Sequence, residues 1–356
     1  LGLPNINIEF KSQAVSAVKR SAKGVVAIIL KDAAAAAQGA HVLTNSTQIP
    51  AELGAVNKAY VDQAFIGYVN PPRKVIVYVL DDEAANLSEA LNYLATQTFD
   101  YLAGPPDCDA TEATEIATWI ASQRANDFTP KAVLPDKAAD SEAIVNFTTD
   151  GIKVGENTYA AAGYCARIAG LIAGTPMTIS CTYAPLPEVT DVTRLSKAEM
   201  DAAIDDGEFI IFHDGEKVKV GRGVNSLQTT TQDKGETFKK IKIVEAVDMI
   251  KNDIKMTAQD SYIGKYANDY DNKCLLISAI SGYFTQLEQE GILQAGSSSV
   301  GIDLAAQEAY LQSIGVDTSA MSEQQIKEAN TADKVFLKAS IKILDAIEDI
   351  DLAIAI

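Results

Sequence analysis

"KVIVYVLDDEAANLSEALNYLA", residues 74–95, decides how the chain is read. Its first seven residues, Lys74 to Leu80, are a strongly β-favouring run. Leu87, Leu91 and Leu94 then recur at i, i+4 and i+7, which is one face of a helix. A strand followed closely by a helix is the repeating half of an α/β sheet. The pattern continues on both sides. Upstream, "GVVAIIL" (24–30) is apolar on both faces and predicts an interior strand. Downstream, "DATEATEIATWIASQ" (109–123) opens with Asp109 and Glu112 at capping-box spacing, and Ile116, Trp119 and Ile120 supply a packing face. "KAVLP" (131–135) and "EAIVNFTT" (142–149) read as strands. "TYAAAGYCARIAGLIAG" (158–174) reads as a helix with small residues for close packing on a sheet, and "PMTISCTY" (176–183) as a closing strand. The expectation is a mostly parallel sheet covered on both faces, in an α/β domain over residues 21–185.

The prolines of "YAPLPEVTDVTR" (183–194) break this rhythm, and a mixed α+β domain is expected over 186–335. Ser196 and Glu199 form a second capping box over a helix that Gly207 stops. "EFIIFH" and "EKVKVG" flank Asp214-Gly215, predicting a hairpin with a two-residue Asp-Gly turn. Two long helices follow from Ile243, Val247, Ile250 and Ile254, and from Leu276, Ile280, Tyr283 and Leu287. Both ends read as extended β arms, over 1–20 and 336–356. In the first, Ile6, Ile8 and Phe10 share one parity; in the second, Ile350, Leu352, Ile354 and Ile356 share one face and Asp349, Asp351, Ala353 and Ala355 the other.

Composition narrows the function classes. With 30 basic against 48 acidic residues the net charge is −18, which argues against nucleic acid as a partner. The densest basic clusters, at Arg73-Lys74 and "KKIK" from Lys239, are short. Cys108, Cys165, Cys181 and Cys274 have no CxxC spacing and read as buried thiols of a reducing compartment. No signal-peptide pattern and no apolar stretch of bilayer length stands out, so no membrane insertion is expected. Of two histidines, His41 reads as a loop residue and His213 as a hairpin flank. "GRG" (221–223) lacks the spacing of a phosphate loop and reads as a close backbone approach. Asp81-Asp82 follows a strand end, where α/β sheets bind ligands, but equally opens a helix as a solvated turn. "NDYDNK" (268–273) lacks the spaced ligands of a calcium loop. No catalytic, cofactor-binding or metal-ligating set is expected.

An apolar end strand must pair, either within its own subunit or by addition to a neighbour's sheet, and the residues alone leave both open. The alternative to an assembly protein is a small-molecule or nucleotide-dependent α/β enzyme with an accessory domain, using groups such as Asp81 and Asp82.

Several stretches together resemble contractile phage tail sheath proteins, most closely the short sheaths of defective prophages and phage-tail-like bacteriocins. They are "GYCARIAGLIAGTPMTISCTYAPLPEV" (163–189), "GRGVNSLQTTTQDKGETFKKIKIVEAVDMIKNDI" (221–254), "YIGKYANDYDNKCLLISAISGYFTQLEQEGIL" (262–293), "IKILDAIEDIDLAIAI" (341–356) and, more loosely, the opening 3–30. Where longer sheaths carry a "GVW…APAN" run, this chain has "YAPLPEV". The resemblance implies subunits in hexameric rings, stacked helically on an inner tube between a baseplate and a tail terminator. Such a structure is assembled in the bacterial host cytoplasm as part of a virion tail or phage-tail-like particle, and contraction drives the tube through a cell envelope. It implies inter-subunit arms carrying Ile6, Ile8 and Phe10 at one end and Ile350, Leu352, Ile354 and Ile356 at the other. Neutralising Asp349 and Asp351 together is then expected to weaken register without abolishing assembly.

Overall fold

The computed structural model describes residues 17–18, 23–232 and 234–355. The arm positions Ile6, Ile8, Phe10 and Ile356 lie outside these. In chain order the strands are β1 (Val25–Lys31), β2 (Gly39–Leu43), β3 (Lys74–Leu80), β4 (Tyr101–Ala103), β5 (Lys131–Pro135), β6 (Ile144–Phe147), β7 (Ile152–Val154), β8 (Asn157–Tyr159), β9 (Glu208–Phe209), β10 (Ile211–His213), β11 (Val218–Val220), β12 (Ser299–Ile302) and β13 (Leu337–Ser340). The helices are α1 (Ala55–Ile66), α2 (Ser88–Leu94), α3 (Ala110–Ala125), α4 (Cys165–Ala173), α5 (Lys197–Asp205), α6 (Ile241–Thr257), α7 (Tyr270–Gln289), α8 (Leu304–Ser313) and α9 (Glu323–Glu328). The described residues divide into two compact units, one holding 23–249 with 345–355 and the other holding 17–18 with 250–344.

The first unit is built on a seven-stranded sheet in the order β2-β3-β1-β4-β5-β6-β9. All neighbours run parallel except β2, which is antiparallel on β3. Alternation along β1 explains its apolar run. Val26, Ile28 and Leu30 join a core with Tyr60, Val61 and Ala64 of α1 and the apolar side chains of α4, while Val25, Ala27 and Ile29 join another with Leu91 and Leu94 of α2 and Ile116 and Ile120 of α3. Both expected capping boxes are formed, at Asp109–Glu112 and Ser196–Glu199. α4 packs on α1 as well as on the sheet: a Cβ at Gly170 would lie 2.0 Å from the Ala64 carbonyl oxygen, so only glycine admits this approach.

Five sequence expectations change. The helix read over 158–174 is confined to α4, because Asn157–Tyr159 pair with β7 as β8. His41 lies in the edge strand β2, its Nε2 2.7 Å from the Ala37 carbonyl, a strand too weakly alternating to be read. Residues 176–183 form turns instead of a closing strand, because Ser180 and Thr182 spend their hydroxyls on local bonds and on the distant Gly223 of the same chain. "EFIIFH" serves two sheets: β9 completes the large sheet, so that sheet extends past the expected break at 185/186, and β10 pairs with β11. The hairpin turn centres on Gly215-Glu216, one residue later than expected. Asp214 N–H donates to the Lys217 carbonyl at 3.0 Å, and only Gly215 takes positive φ, +109°.

The first part of α6, residues 241–249, is held within this unit by a buried ion network. Lys131, 5 % exposed at the start of β5, lies 3.4 Å from Glu245 and 3.3 Å from Asp248. Arg124 binds Asp248 through both terminal nitrogens, at 2.9 and 3.1 Å, and Lys23 pairs with Glu245. Burial opposes ionisation of Glu245, yet Lys23 and Lys131 beside it hold its carboxyl down at about 2.

In the second unit Ile280, Tyr283, Phe284 and Leu287 of α7 are buried, and the Tyr283 hydroxyl donates to Asp253 at 2.6 Å. β12 and β13 form an antiparallel ladder, extended by a bridge between Leu293 and Ile343. The first part of the expected 336–356 arm is therefore paired within its own chain.

Candidate functional site: a clamped and exposed C-terminal segment

Residues 344–355 form no helix or strand. Ile350, Leu352 and Ile354 are 79, 77 and 75 % exposed, and Asp351, Ala353 and Ala355 are exposed as well, so neither parity is covered. Apolar residues on this scale are normally withdrawn from water, at roughly 1.5–3 kcal/mol for each full burial.

The root of the segment is held firmly. A short antiparallel pairing brings 223–225 beside 239–241: Asn225 N–H donates to Lys239 and Ile241 N–H to Gly223, each at 2.9 Å. That pairing sets Arg222 and Lys240 side by side. Glu348, with a side chain 7 % exposed, places Oε2 3.1 Å from Arg222 Nε and 3.7 Å from Lys240 Nζ. Its Oε1 accepts from the Thr182 hydroxyl at 2.6 Å and lies 3.1 Å from the Ser180 hydroxyl. Thr182 is itself fixed by the Gly223 N–H at 2.9 Å. Asp349 meets the Arg222 guanidinium at 2.5 Å, and Asp345 pairs with Lys240. The bond to Asp349 raises the Arg222 guanidinium above its ordinary value.

"GRG" is thus a close backbone approach whose arginine holds the segment, and the basic run from Lys239 supplies the second cation. The sequence reading missed Ser180, Thr182, Arg222, Lys240, Asp345 and Glu348. Lone charges in separate stretches carry no spacing signal; the only hint was the short basic run from Lys239 in a strongly acidic chain. The structure also separates Asp349 from Asp351, which were expected to act together. Asp349 is engaged by Arg222, while Asp351 has no ion-pair partner among the described residues.

Where the enzyme alternative would place its ligand, the chain's own polar groups are bonded to one another. Strand order reverses between β1 and β4, the position where doubly wound sheets bind ligands. There the Asp32 carboxylate accepts from Gly54 N–H and Asn57 Nδ2, both at 2.8 Å, at the start of α1. Burial of Asp32 opposes its charge, but these bonds hold it below the usual carboxylate range. Lys31 pairs with Glu112, and the Tyr60 hydroxyl donates to the Gly104 carbonyl at 3.0 Å. Asp81 closes its own turn through Glu83 N–H at 3.0 Å and takes Gln38 Nε2 at 2.9 Å, while Asp82 is exposed. In "NDYDNK", Asp269 caps α7 and Asn268 ties down the Ala332 and Lys334 carbonyls at 2.8 and 2.9 Å. Among the described residues no group of three or more His, Cys, Asp or Glu could hold a metal ion, and no helix is long and apolar enough to cross a membrane.

The chain thus comprises a mixed α/β unit, a second unit of helices with a two-stranded ladder, and a clamped, exposed apolar segment. The phage tail sheath central-domain model matches residues 82–226, and the phage tail sheath C-terminal-domain model matches 233–356. The tail sheath protein of Clostridium phage phiCD119 is 41 % identical over 359 residues, 99 % of each chain. Among solved structures, a sheath tail protein from Desulfitobacterium hafniense superposes with TM-score 0.71 at 17 % identity, over 84 % of this chain and 94 % of that one. The contracted sheath complex of an extracellular contractile injection system does so with TM-score 0.71 at 13 % identity, over 100 % and 98 %. At these identities the structural likeness is one of fold. The chain belongs to the phage tail sheath family, and it is a structural subunit of a contractile tail sheath.

Proposed function

We propose that this subunit polymerises as stacked hexameric rings around an inner tail tube by lending residues 350–356 as a β-strand to a neighbouring copy, with the segment carrying Ile6, Ile8 and Phe10 lent from the other end. The observation that carries the reading is the contrast within 345–355: a root fixed by Arg222 and Lys240, then three large apolar side chains left three-quarters exposed. β-strand addition would cover them and satisfy the backbone. The ladder β12–β13 is a fitting acceptor, since a two-stranded sheet is marginal alone and gains from further strands. Main-chain bonds of a lent strand tolerate rotation of the bodies they join, so the links can persist while polar faces of the units exchange contacts during contraction. The subunit works without catalysis, cofactor, nucleic acid or membrane insertion. Its further partners are the tube protein, baseplate and tail terminator, in a particle assembled in the bacterial cytoplasm.

Negative-stain electron microscopy of the full chain beside a variant ending at Asp349 tests this. Tubes or stacked rings from the full chain alone are expected. Equal assembly by both would overturn the lent-strand reading, as would unfolding of the shortened monomer, since the strand would then pair at home.

A further inference from the structure

The two faces of the β12–β13 ladder are unlike. Register pairs Val300 with Ala339 and Ile302 with Leu337 on one face, and Ser299 with Ser340 and Gly301 with Lys338 on the other. The lent segment alternates in the same way: Ile350, Leu352 and Ile354 against Asp351, Ala353 and Ala355. Laid along either edge in register, its apolar parity continues the apolar face and Asp351 falls on the polar face.

The two edges differ in charge. β12 carries no charged residue, and the Glu288 carboxylate stands at its start, accepting from Ser298 N–H at 3.1 Å. β13 carries Lys338, exposed and without an ion-pair partner among the described residues, in a chain of net charge −18. Asp349 cannot supply the matching anion while Arg222 holds it, which leaves Asp351 as the first carboxylate of the segment without an ion-pair partner among the described residues.

We infer that residues 350–355 of one copy add at the edge of β13 away from β12 in a second copy, in the register that sets Asp351 across from Lys338. This rests on the lent-strand reading and adds the edge, the register and the residue pair that selects them. The pairing holds for either strand direction, because directly opposed residues share a face in both. A slip of one residue would turn Ile350 and Leu352 onto the polar face. Lys338 is a positioning residue here: main-chain bonds and apolar burial hold the strand, and the charge pair picks its place.

Charge reversal in the full chain tests the inference. Lys338→Glu and Asp351→Lys singly should each raise the protein concentration at which polymer forms by about three- to tenfold, as like charges meet across the strands. The double variant should return it to the parent value. Singles that assemble like the parent, or a double variant no better than the singles, would overturn the inference. Circular dichroism of the monomers separates these outcomes from misfolding. As an independent reading, parent-like polymer of Lys338→Cys/Asp351→Cys should cross-link between copies with a short bis-thiol reagent, whereas Lys342→Cys/Asp351→Cys should not; the reverse pattern refutes the register. If the chain ending at Asp349 polymerises normally, the lent strand itself fails, and this is distinguishable from failure of the register alone.

Discussion

Glu348→Gln isolates the clamp. The substitution keeps the shape of the side chain and removes its charge. In the parent, Glu348 accepts from Thr182 at 2.6 Å, lies 3.1 Å from Arg222 Nε, and is nearly covered. Hydrogen bonds to a charged group contribute roughly 1.5–3 kcal/mol each. Arg222, however, is about one-third exposed, so solvent screens its share, and Asp349 remains to bind it. The net cost is therefore about 2 kcal/mol, which makes the open form of the root about 30-fold more populated. Proteolysis before aspartate reads that population directly, because cleavage of a clamped segment requires it to open first. An aspartate-specific endoproteinase should cut before Asp351 at equal rates in parent and variant, and before Asp349 about 30-fold faster in the variant. Global thermal stability should hardly move, since only the segment is released. Equal rates before Asp349 would show that Glu348 does not hold the root.

Other outcomes follow from the body of the first unit. Glu245, depressed from an ordinary 4.5 to about 2, contributes about 3 kcal/mol that is fully present above pH 4.5 and is lost as the pH falls toward 2. Glu245→Gln should therefore weaken urea stability of the monomer by about that amount at pH 7 and by far less near pH 2.5. A cost equal at both values would mean packing, not charge, carries its contribution. Gly170→Ala drives a methyl into the Ala64 carbonyl at 2.0 Å, and backbone cannot swing away. A loss of at least about 2 kcal/mol is expected despite better helix propensity, read as a fall in the midpoint of thermal unfolding; an unchanged midpoint would refute the close packing of α1 and α4.

What the sequence disclosed follows from the range of the forces involved. Strands β1, β3 and β5, the helix of Leu91 and Leu94 and both capping boxes were legible because each is decided by neighbours along the chain. The turns at 176–183 were misread because hydroxyls and β-branched residues favour a strand locally, while their bonds here go to Gly223 and Glu348. β9 was misplaced for a related reason: two residues of one apolar run joined the large sheet, a choice set by β6 and invisible along the chain. The clamp was hidden most completely. Arg222 and Asp349 are 127 positions apart, and no local rule links them.

The division between Asp349 and Ile350 has an energetic reason. Ordering one residue of free chain costs about 1–2 kcal/mol of backbone entropy. Residues 345–349 are already ordered by Lys240, Arg222, Ser180 and Thr182, so on joining a neighbour they add nothing further to that cost. The six residues 350–355 would still cost about 6–12 kcal/mol. Burying Ile350, Leu352 and Ile354 returns about 4–8 kcal/mol, and a few ladder hydrogen bonds at about 0.5–1.5 kcal/mol each bring the two sides close to balance. An unclamped root would add about 5–10 kcal/mol to the unfavourable side and tip it against pairing. Under the lent-strand proposal, a near balance per strand, multiplied over a polymer, would let assembly respond to small changes such as a single charge at residue 351 or 338, with the clamp keeping the strand within that range.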